Sequence, residues 1–459
     1  MKRYLFGASP RAVATFICYV VNGSDQRAKD LLDHELERGA FERRDRDLAT
    51  ELVYGMLRRR GTLDHILAEF SRIPLKKIQP RVLEILRLGA YQLVFLDKVP
   101  APAAVNEAVE IARRVSSEGA VGFVNASLRS LSKAIVRKGA ESGDPRHSVP
   151  IGDGVCCVLS RAVLPDPARS PAEYLASAHS HPVWLVRRWL KRFGEETTRR
   201  LCESDNLHTG VVLRVNHLRT SREELVAELV RGGRWARPVG PSHVILDGAG
   251  SPADLAALRD GLCTVQGIAA SAAAEALAPR PGEMVLDVCS APGSKACQLA
   301  ELADCEATVL ALDISPKRLR QVSENARRLG VRTVWPVAGD GCSCERLFRA
   351  DFDAALVDVP CSNTGVLARR VESRWRASEQ KIRELAELQR RLLASAARTV
   401  RPGGRLVYST CSLEPEENEQ VVEAVCRERA DWRAAESRTI LPSETGDDGG
   451  YLALLCRAG

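Results

Sequence analysis

The sequence of 459 residues lacks several features that mark particular classes of protein. No run of about 18 apolar residues occurs, so we expect no transmembrane helix and no membrane partner. The 14 cysteines include no C-x-x-C pair, so we expect no structural zinc site and no other metal. The dinucleotide-binding pattern G-x-G-x-x-G is also absent, which argues against a nicotinamide cofactor.

The N-terminus has an apolar stretch that needs a separate interpretation. Residues 16–21 are apolar, but Arg11 interrupts the approach to them, and a helical pattern continues directly into AKDLLDHELERG. We therefore expect a folded helix rather than a signal peptide. A cytoplasmic protein with free thiols follows as the expectation.

The net charge of +7 is unevenly distributed. Residues 1–150 contain 25 Lys and Arg against 18 Asp and Glu, whereas the remainder balances at 41 against 41. A basic N-terminal region indicates a polyanionic partner such as nucleic acid. On charge alone, a solubilising surface explains the excess equally well.

The length predicts two or three domains, and the patterning changes character three times. Residues 1–140 predict an all-helical bundle, residues 141–175 a linker rich in Pro, Gly and Asp, and residues 176–262 a small α+β module. Strands and helices alternate over residues 263–459, which predicts an α/β Rossmann-like domain with a parallel sheet covered on both faces. Ligands of such sheets bind beyond the carboxyl ends of the strands.

Three consecutive predicted strands end in polar elements. The first is followed by VLDVCSAPGSKA at residues 285–296, a small-residue turn that enters a helix. Asp313 ends the second strand, where it could accept two ribose hydroxyls, and Asp340 ends the third, where it could meet an adenine amino group. Each element alone is common as an ordinary turn or helix cap. Together they predict an adenosine-type ligand.

The next two strands each end near a cysteine. DVPCSNTG carries Cys361 and STCS carries Cys411. Most cysteines are small buried hydrophobes, but these two follow ligand-side strand ends in polar loops, so we predict that they are functional and lie on neighbouring strands. Spacing alone leaves open which of the two would act as a nucleophile.

The motifs CSAPGSK, LDIS, AGD, DVPCSNTG and TCSLEPEENE resemble the S-adenosylmethionine-dependent RNA 5-methylcytosine methyltransferases. The segments DRDLATELVYGMLRR, LRLGAYQL, VNEAVEIA and GFVNASLR resemble the NusB-type RNA-binding domain, and SHPVWLVRRW and LRVN resemble a connecting module. This order is similar to that of the bacterial ribosomal RNA methyltransferases of the RsmB (Sun/Fmu) type. The resemblance covers nearly the whole chain.

The resemblance implies S-adenosylmethionine as cofactor and cytosine C5 of small-subunit (16S) ribosomal RNA as target. We expect the RNA to be unassembled and the enzyme to be a monomer. It implies that Cys411 adds to C6 of the base, that Cys361 assists release of the product, and that Asp358 contacts cofactor or base. The positions that match the family's cofactor contacts are Cys289, Ser290, Ala291, Pro292, Gly293, Ser294, Lys295, Asp313, Asp340 and Asp358.

Several departures from the family's pattern keep other functions open. The cofactor loop reads SAPGSKA where the family has AAPGGKT, so that Ser294 replaces a glycine and Ala296 a threonine. RRVESRW stands where an HPD segment is usual. These departures motivate one alternative, a non-catalytic RNA-binding or ribosome-assembly factor on a methyltransferase scaffold; the same chemistry on transfer RNA is another. The acids of EPEENE are expected to begin the next helix, as the helix dipole favours.

Overall fold

The computed structural model of the protein describes residues 6–39, 41–141, 143–152, 154–207, 210–247, 255–348 and 351–459. The chain divides into two compact units. Unit 1 comprises residues 1–207 and 370–376, and unit 2 comprises residues 208–369 and 377–459.

Unit 1 begins with the predicted helical bundle. Its first helix starts after Ser9, whose hydroxyl accepts a hydrogen bond from the Ala12 amide at 3.2 Å, and Pro10 occupies the first turn. The i, i+4 spacing of Leu48, Leu52, Val53 and Leu57 predicts one apolar helix face; the last three are buried and Leu48 is partly buried against the same core. The helices are α1 (Pro10–Asn22), α2 (Ala28–Arg38), α3 (Arg43–Arg58), α4 (Arg60–Phe70), α5 (Pro80–Phe95), α6 (Ala101–Val115) and α7 (Glu118–Ala134).

A small antiparallel sheet follows α7. Its first strand lies in residues 1–140, which the sequence predicts to be all-helical, so that prediction is wrong at this end; its other two strands lie in the predicted linker, residues 141–175. Its strands, in the order β1-β3-β2, are β1 (Ile135–Ala140), β2 (Ser148–Gly152) and β3 (Val155–Leu159). Val149, Cys157 and Leu159 are buried against the core of the helical bundle. The Pro and Gly content of this stretch is typical of a linker. The strands are too short to give a clear local pattern, and their apolar residues are recognised as strand residues only from their burial against the bundle.

Two further helices complete the N-terminal part of unit 1. They are α8 (Pro171–His179) and α9 (Val183–Ser204), and α9 is kinked at Gly194. The module that the sequence predicts over residues 176–262 is therefore divided, since α9 lies in unit 1 and the strands after it lie in unit 2.

Unit 2 starts with a four-stranded antiparallel sheet in the order β5-β6-β4-β7. Ser221 and Glu224 form a capping box at the start of its helix α10. The elements are β4 (Val211–Val215), α10 (Arg222–Arg231), β5 (Trp235–Val239), β6 (His243–Asp247), α11 (Ala256–Arg259) and β7 (Cys263–Val265).

The remainder of unit 2 is a seven-stranded sheet in the order β10-β9-β8-β11-β12-β14-β13, which confirms the predicted Rossmann-like fold. β8 to β12 run parallel, and β14 is antiparallel to both of its neighbours. The strands are β8 (Met284–Val288), β9 (Thr308–Asp313), β10 (Val334–Ala338), β11 (Phe352–Asp358), β12 (Val400–Thr410), β13 (Trp432–Ile440) and β14 (Gly450–Arg457). The helices, in chain order, are α12 (Ile268–Leu277), α13 (Ser294–Leu302), α14 (Pro316–Leu329), α15 (Cys344–Leu347), α16 (Ser373–Arg376, in the segment that belongs to unit 1), α17 (Glu379–Thr399), α18 (Glu419–Glu428) and α19 (Pro442–Thr445).

The central parallel strands β8, β9 and β11 are buried on both faces, whereas the edge strand β10 leaves Trp335 and Pro336 exposed. Val285 and Leu286 point to opposite sides, as successive strand residues must, and each joins a separate hydrophobic core. One core includes residues of α17 and α18, and the other includes residues of α12, α13 and α14. The sheet is therefore a rigid platform whose strand ends carry the polar loops.

The returning segment of unit 1, residues 370–376, is anchored by a fully buried arginine. The guanidinium of Arg374 donates hydrogen bonds, at 2.9–3.3 Å, to the backbone oxygens of Arg58, His179, Ser180 and Asp205 and to the side-chain oxygen of Asn206. Two residues of the RRVESRW departure from the family's pattern, Val371 and Arg374, are thus buried in unit 1.

Candidate functional site

The two predicted cysteines lie side by side. β11 and β12 are adjacent parallel strands with Asp358 opposite Ser409, so the loops that follow them leave the same edge of the sheet. The sulfur atoms of Cys361 and Cys411 are 2.8 Å apart. The expectation that neighbouring strands carry the two thiols is confirmed.

Asn363 and Gly365 hold the two cysteine loops together. Asn363 has a left-handed backbone, with φ of 64°. Its side chain donates to the Cys361 carbonyl at 3.0 Å and accepts from the Cys411 sulfur at 3.3 Å. The Gly365 amide donates to the Cys411 carbonyl at 2.9 Å. A Cβ at Gly365 would lie 2.8 Å from the backbone of Gly449, so a larger residue could not make this approach.

The environments of the two thiols differ. Cys361 is buried, whereas Cys411 is partly exposed. The hydrogen bond with Cys411 raises the pKa of Cys361 well above its usual value, and burial and the Glu417 carboxylate raise it further. Cys361 is therefore a neutral thiol at neutral pH.

Asp358 connects the thiol loops with the loop after β8. Its carboxylate accepts from the Ser409 hydroxyl at 2.6 Å and from the Lys295 ammonium at 2.7 Å. This ion pair raises the pKa of Lys295, against the effect of burial. Lys295, predicted as part of the cofactor loop, thus contacts the strand that leads to Cys361.

The loop after β8 makes a tight turn. Cys289 has φ of 61°, the Ala291–Pro292 peptide bond is cis, and Gly293 has φ of 95° immediately before α13. Ala291 donates its amide to Asp313 at 3.1 Å, which joins this loop to the end of β9. The predicted cofactor residues of β8 and β9 are therefore brought together.

Asp287, near the end of β8, keeps one oxygen without a partner. Its Oδ2 accepts from the Ser290 hydroxyl at 2.6 Å, but its buried Oδ1 has no hydrogen-bond partner among the described residues. Burial raises the pKa of Asp287 to about 7. A buried unpaired acceptor is costly, and a ligand with a donor group would satisfy it.

The ends of β9 and β10 differ in how open they are. Both oxygens of Asp313 already accept backbone amides, from Ala291 and from Ser315 at 2.9 Å, and its side chain is buried. Asp340 is exposed, and one of its oxygens caps the following turn through the Cys342 amide at 2.9 Å. Ile314, which the sequence analysis did not single out, is 72% exposed beside Asp313.

The acids after Cys411 were expected to lie at an ordinary helix start, and the structure places them differently. α18 begins only at Glu419, and Glu417 is fully buried beneath the cysteine loops. The serine after each cysteine donates a hydrogen bond to Glu417. The Cys-Ser pair that recurs in PCS and TCS is therefore the feature of the sequence from which this contact could have been predicted.

Within the described ranges, no group of three or more His, Cys, Asp and Glu side chains could hold a metal ion. In the same part of the chain, no helix has the length and apolar character needed to cross a membrane.

Three families match segments of the chain. Residues 274–455 match the 16S rRNA methyltransferase RsmB/F family, residues 8–133 match the NusB family, and residues 181–251 match an RsmF/B-like ferredoxin-like domain. The matches follow the chain in the order that the motifs predict.

Individual proteins are similar over nearly the whole length. The chain is 33% identical to ribosomal RNA small subunit methyltransferase B of Vibrio cholerae, with 90% of each chain covered. It is 32% identical to the protein of the same name from Shewanella oneidensis, with 90% of this chain and 91% of that one covered. The crystal structure of PH0851 has a TM-score of 0.77 at 24% identity, with 98% and 99% covered, which supports the fold.

Proposed function

This chain belongs to the RsmB/F family of 16S rRNA methyltransferases, and we propose that it methylates carbon 5 of a cytosine in small-subunit (16S) ribosomal RNA. Its methyl donor is S-adenosylmethionine. The proposed reaction passes through a transient bond between the Cys411 sulfur and carbon 6 of the base. The observation that carries the proposal is the pair of thiols 2.8 Å apart, next to the loops that suit the cofactor.

The thiol is needed because C5 of cytosine is a weak nucleophile. Addition of the Cys411 thiolate to C6 forms a sulfur–carbon bond and moves an electron pair to C5, which becomes enamine-like. When bound, S-adenosylmethionine supplies an electrophilic methyl group. Solvent water then accepts the C5 proton, the electron pair of that C–H bond restores the C5–C6 double bond, and the pair of the sulfur–carbon bond returns to Cys411 as a thiolate. The target base leaves its stack to reach the thiols, as bases do in other base-modifying enzymes.

The geometry supports different roles for the two cysteines. Cys411 is the more exposed and can be reached by a base, so we assign it as the nucleophile. Cys361 is buried and holds its proton, so it can donate a hydrogen bond to the Cys411 sulfur at 2.8 Å. Such a bond stabilises the thiolate as it leaves C6, which fits a role in product release.

The loops after β8, β9 and β10 fit the cofactor. The unpaired Oδ1 of Asp287 can accept from a cationic amino group, and Ile314 offers apolar surface for a purine ring. Asp340 is exposed at the next strand end, and the tight turn before α13 lets backbone amides face a ligand. The residues that would hold the cofactor are Cys289, Ser290, Ala291, Pro292, Gly293, Ser294, Lys295, Asp313, Asp340 and Asp358.

Asp358 is positioned to serve both substrate and cofactor. Its carboxylate is fixed by Lys295 and Ser409, and about a third of the side chain remains exposed. A carboxylate held this way can accept a hydrogen bond from the amino group of cytosine. The basic N-terminal region supports a polyanionic substrate, which we propose is 16S RNA before assembly, bound by a monomer.

The test is methylation of protein-free 16S RNA with labelled S-adenosylmethionine. We expect Cys411→Ala to abolish transfer and Cys361→Ala to accumulate a covalent protein–RNA adduct that survives denaturing electrophoresis. Cys426→Ala, which removes a half-buried thiol on α18, serves as the control and should be fully active. An active Cys411→Ala enzyme would overturn the assignment of the nucleophile.

The choice of RNA tests the alternatives. Transfer to transfer RNA and not to 16S RNA would retain the chemistry and change the substrate. No transfer by the wild-type protein to any RNA would favour a scaffold without catalytic activity.

A further inference from the structure

A buried glutamate joins the two cysteine loops. Glu417 lies in the turn between β12 and α18 and is fully buried. Its Oε1 accepts from the Ser362 amide at 2.8 Å and from the Gln389 side chain at 3.0 Å. Its Oε2 accepts from the hydroxyls of Ser362 and Ser412, the latter at 2.5 Å.

The two serines occupy equivalent positions in the two loops. Ser362 directly follows Cys361 and Ser412 directly follows Cys411. Their hydroxyl oxygens are 3.1 Å apart, and both side chains are buried. One carboxylate oxygen therefore receives a hydrogen bond from the residue after each thiol, and this arrangement fixes the separation of the two loops.

Helix α17 and strand β12 reinforce the arrangement. Gln389 on α17 donates to the Pro360 carbonyl at 2.9 Å as well as to Glu417. The Tyr408 hydroxyl on β12 donates to the Glu417 carbonyl at 2.5 Å. The glutamate is thus held by both its backbone and its carboxylate, so its position is set by the sheet and not by the loops alone.

Burial of a carboxylate is expensive, and an apolar residue could fill the same space at lower cost. A buried carboxylate at this position is explained if the two cysteine loops must be held in a fixed geometry. Hydrogen bonds to an ionised acceptor are stronger and more directional than neutral ones, and a single carboxylate can accept several at once. An apolar filler would not set the distance between two backbones.

We propose that Glu417 is a positioning residue that holds the thiols of Cys361 and Cys411 in contact by clamping the serine that follows each of them. Its effect on methyl transfer rests on the proposed function, but its effect on the thiol pair does not. During the reaction the Cys411 sulfur forms a bond to C6 and later leaves it. This arrangement of Glu417 with Ser362 and Ser412, here called the clamp, keeps the Cys361 thiol beside the Cys411 sulfur throughout the reaction.

The first measurement needs no RNA. In the full-length protein, diamide converts the two adjacent thiols to a disulfide, with two protons and two electrons passing to the diamide, and mass spectrometry gives the rate of the Cys361–Cys411 linkage. We expect Glu417→Ala and Glu417→Asp to slow this rate about tenfold, because the shortened side chains no longer reach both serines. Glu423→Gln, an exposed glutamate on α18, is the control and should leave the rate unchanged.

The second measurement follows methyl transfer. We expect the kcat of Glu417→Ala to fall at least tenfold, with the KM for RNA and the Kd for S-adenosylmethionine within about twofold of wild type. The variant Ser362→Ala/Ser412→Ala should reproduce the loss, and adding Glu417→Ala to it should cause little further change, since the hydroxyl contacts through which Glu417 joins the two loops are already lost. A general loss of folding would instead change cofactor binding.

The outcomes separate the two proposals. Unchanged disulfide formation and unchanged kcat in the Glu417 and double-serine variants would overturn the clamp. Slowed disulfide formation in a protein that methylates no RNA would retain the clamp and refute the proposed function. If Glu417→Ala does not fold, the double-serine variant, which keeps the glutamate, tests the clamp through the same two rates.

Discussion

The loops at the carboxyl edge of the seven-stranded sheet fall into two groups of different construction. The loops after β11 and β12 are closed: Ser362, Ser412 and Glu417 are buried and hydrogen-bond one another. The loops after β8, β9 and β10 are open by comparison. There, Ile314 and Asp340 are exposed and Asp287 keeps an unpaired oxygen.

The difference follows from what each group has to do. A covalent step needs its nucleophile placed within a fraction of an ångström, so its supporting groups must satisfy one another in advance. A ligand site needs donors, acceptors and apolar surface that only the ligand completes. Variants that act on one group and spare the other test this distinction.

The largest effect is expected at Asp358, which joins the two groups through Lys295 and Ser409. Asp358→Ala should reduce kcat on the order of a hundredfold, the effect typical of losing one polar group at a reacting centre. Steady-state methylation assays measure it. Asp353→Ala removes an ion pair with Arg401 at the opposite end of the same strand and should leave kcat unchanged. Equal losses in both variants would assign the effect to strand β11 as a whole.

The next largest effect is expected on stability, from a substitution at Gly293 in the loop after β8. Gly293 has φ of 95°, and a Cβ there would lie 3.0 Å from the Val322 backbone on α14. Gly293→Ala should lower the free energy of unfolding by about 2–3 kcal/mol in urea titrations. Gly282 also has positive φ but open space around it, so Gly282→Ala should cost only about 1 kcal/mol. Equal losses in the free energy of unfolding for the two variants would mean that α14 moves away from the added methyl group without cost.

A pH effect on stability is expected from Asp287, in the open group of loops. Burial raises its pKa in the folded protein to about 7, whereas the unfolded value is about 3.9. The folded state therefore holds the proton more tightly. This contribution to stability is complete below about pH 4 and is lost as the pH rises through 7. Between pH 5 and 6, the stability of wild type relative to Asp287→Asn should fall by about 1.4 kcal/mol. If urea titrations give the same difference in free energy of unfolding between wild type and Asp287→Asn at pH 5 and pH 6, the raised pKa of Asp287 is refuted.

The smallest effect is expected at Ile314. Ile314→Ser should raise the KM for S-adenosylmethionine about fivefold, because partial burial of this side chain by a purine contributes about 1 kcal/mol. The free energy of unfolding should not change, since the side chain is already exposed. Trp335→Ser changes another exposed apolar residue, on β10, and should leave KM unaltered. An equal rise in both would point to a general loss of sheet integrity.

The sequence was sufficient for much of unit 2 because its signals are local. Strands β8, β9 and β11 and the second half of β12 are short apolar runs that end in polar residues, and parallel strands bring such ends to one edge. The pairing of Cys361 with Cys411 follows from that rule. The burial of Glu417 does not, because its partners Ser362 and Gln389 are 55 and 28 residues away.

Other features depended on contacts that local patterns do not contain. The small sheet over residues 135–159, two of whose strands lie in the predicted linker, is recognised only because Val149 and Leu159 reach the core of the helical bundle. The assignment of residues 370–376 to unit 1 has no local signal either. From the sequence alone, Arg374 is expected at the surface, as most arginines are. Its complete burial depends on the surrounding carbonyl groups, which only the structure shows.

The anchoring of Arg374 has a consequence for the order in which the protein is made. Unit 1 ends its first portion at residue 207 but is completed only by residues 370–376. At translation rates of about 5–20 residues per second, the roughly 160 intervening residues take on the order of 10–30 s to synthesise. During that interval the carbonyl groups of Arg58, Ser180 and Asp205 lack the guanidinium that later joins them. The N-terminal unit is therefore the first to emerge, yet it finishes folding after most of the chain has been translated.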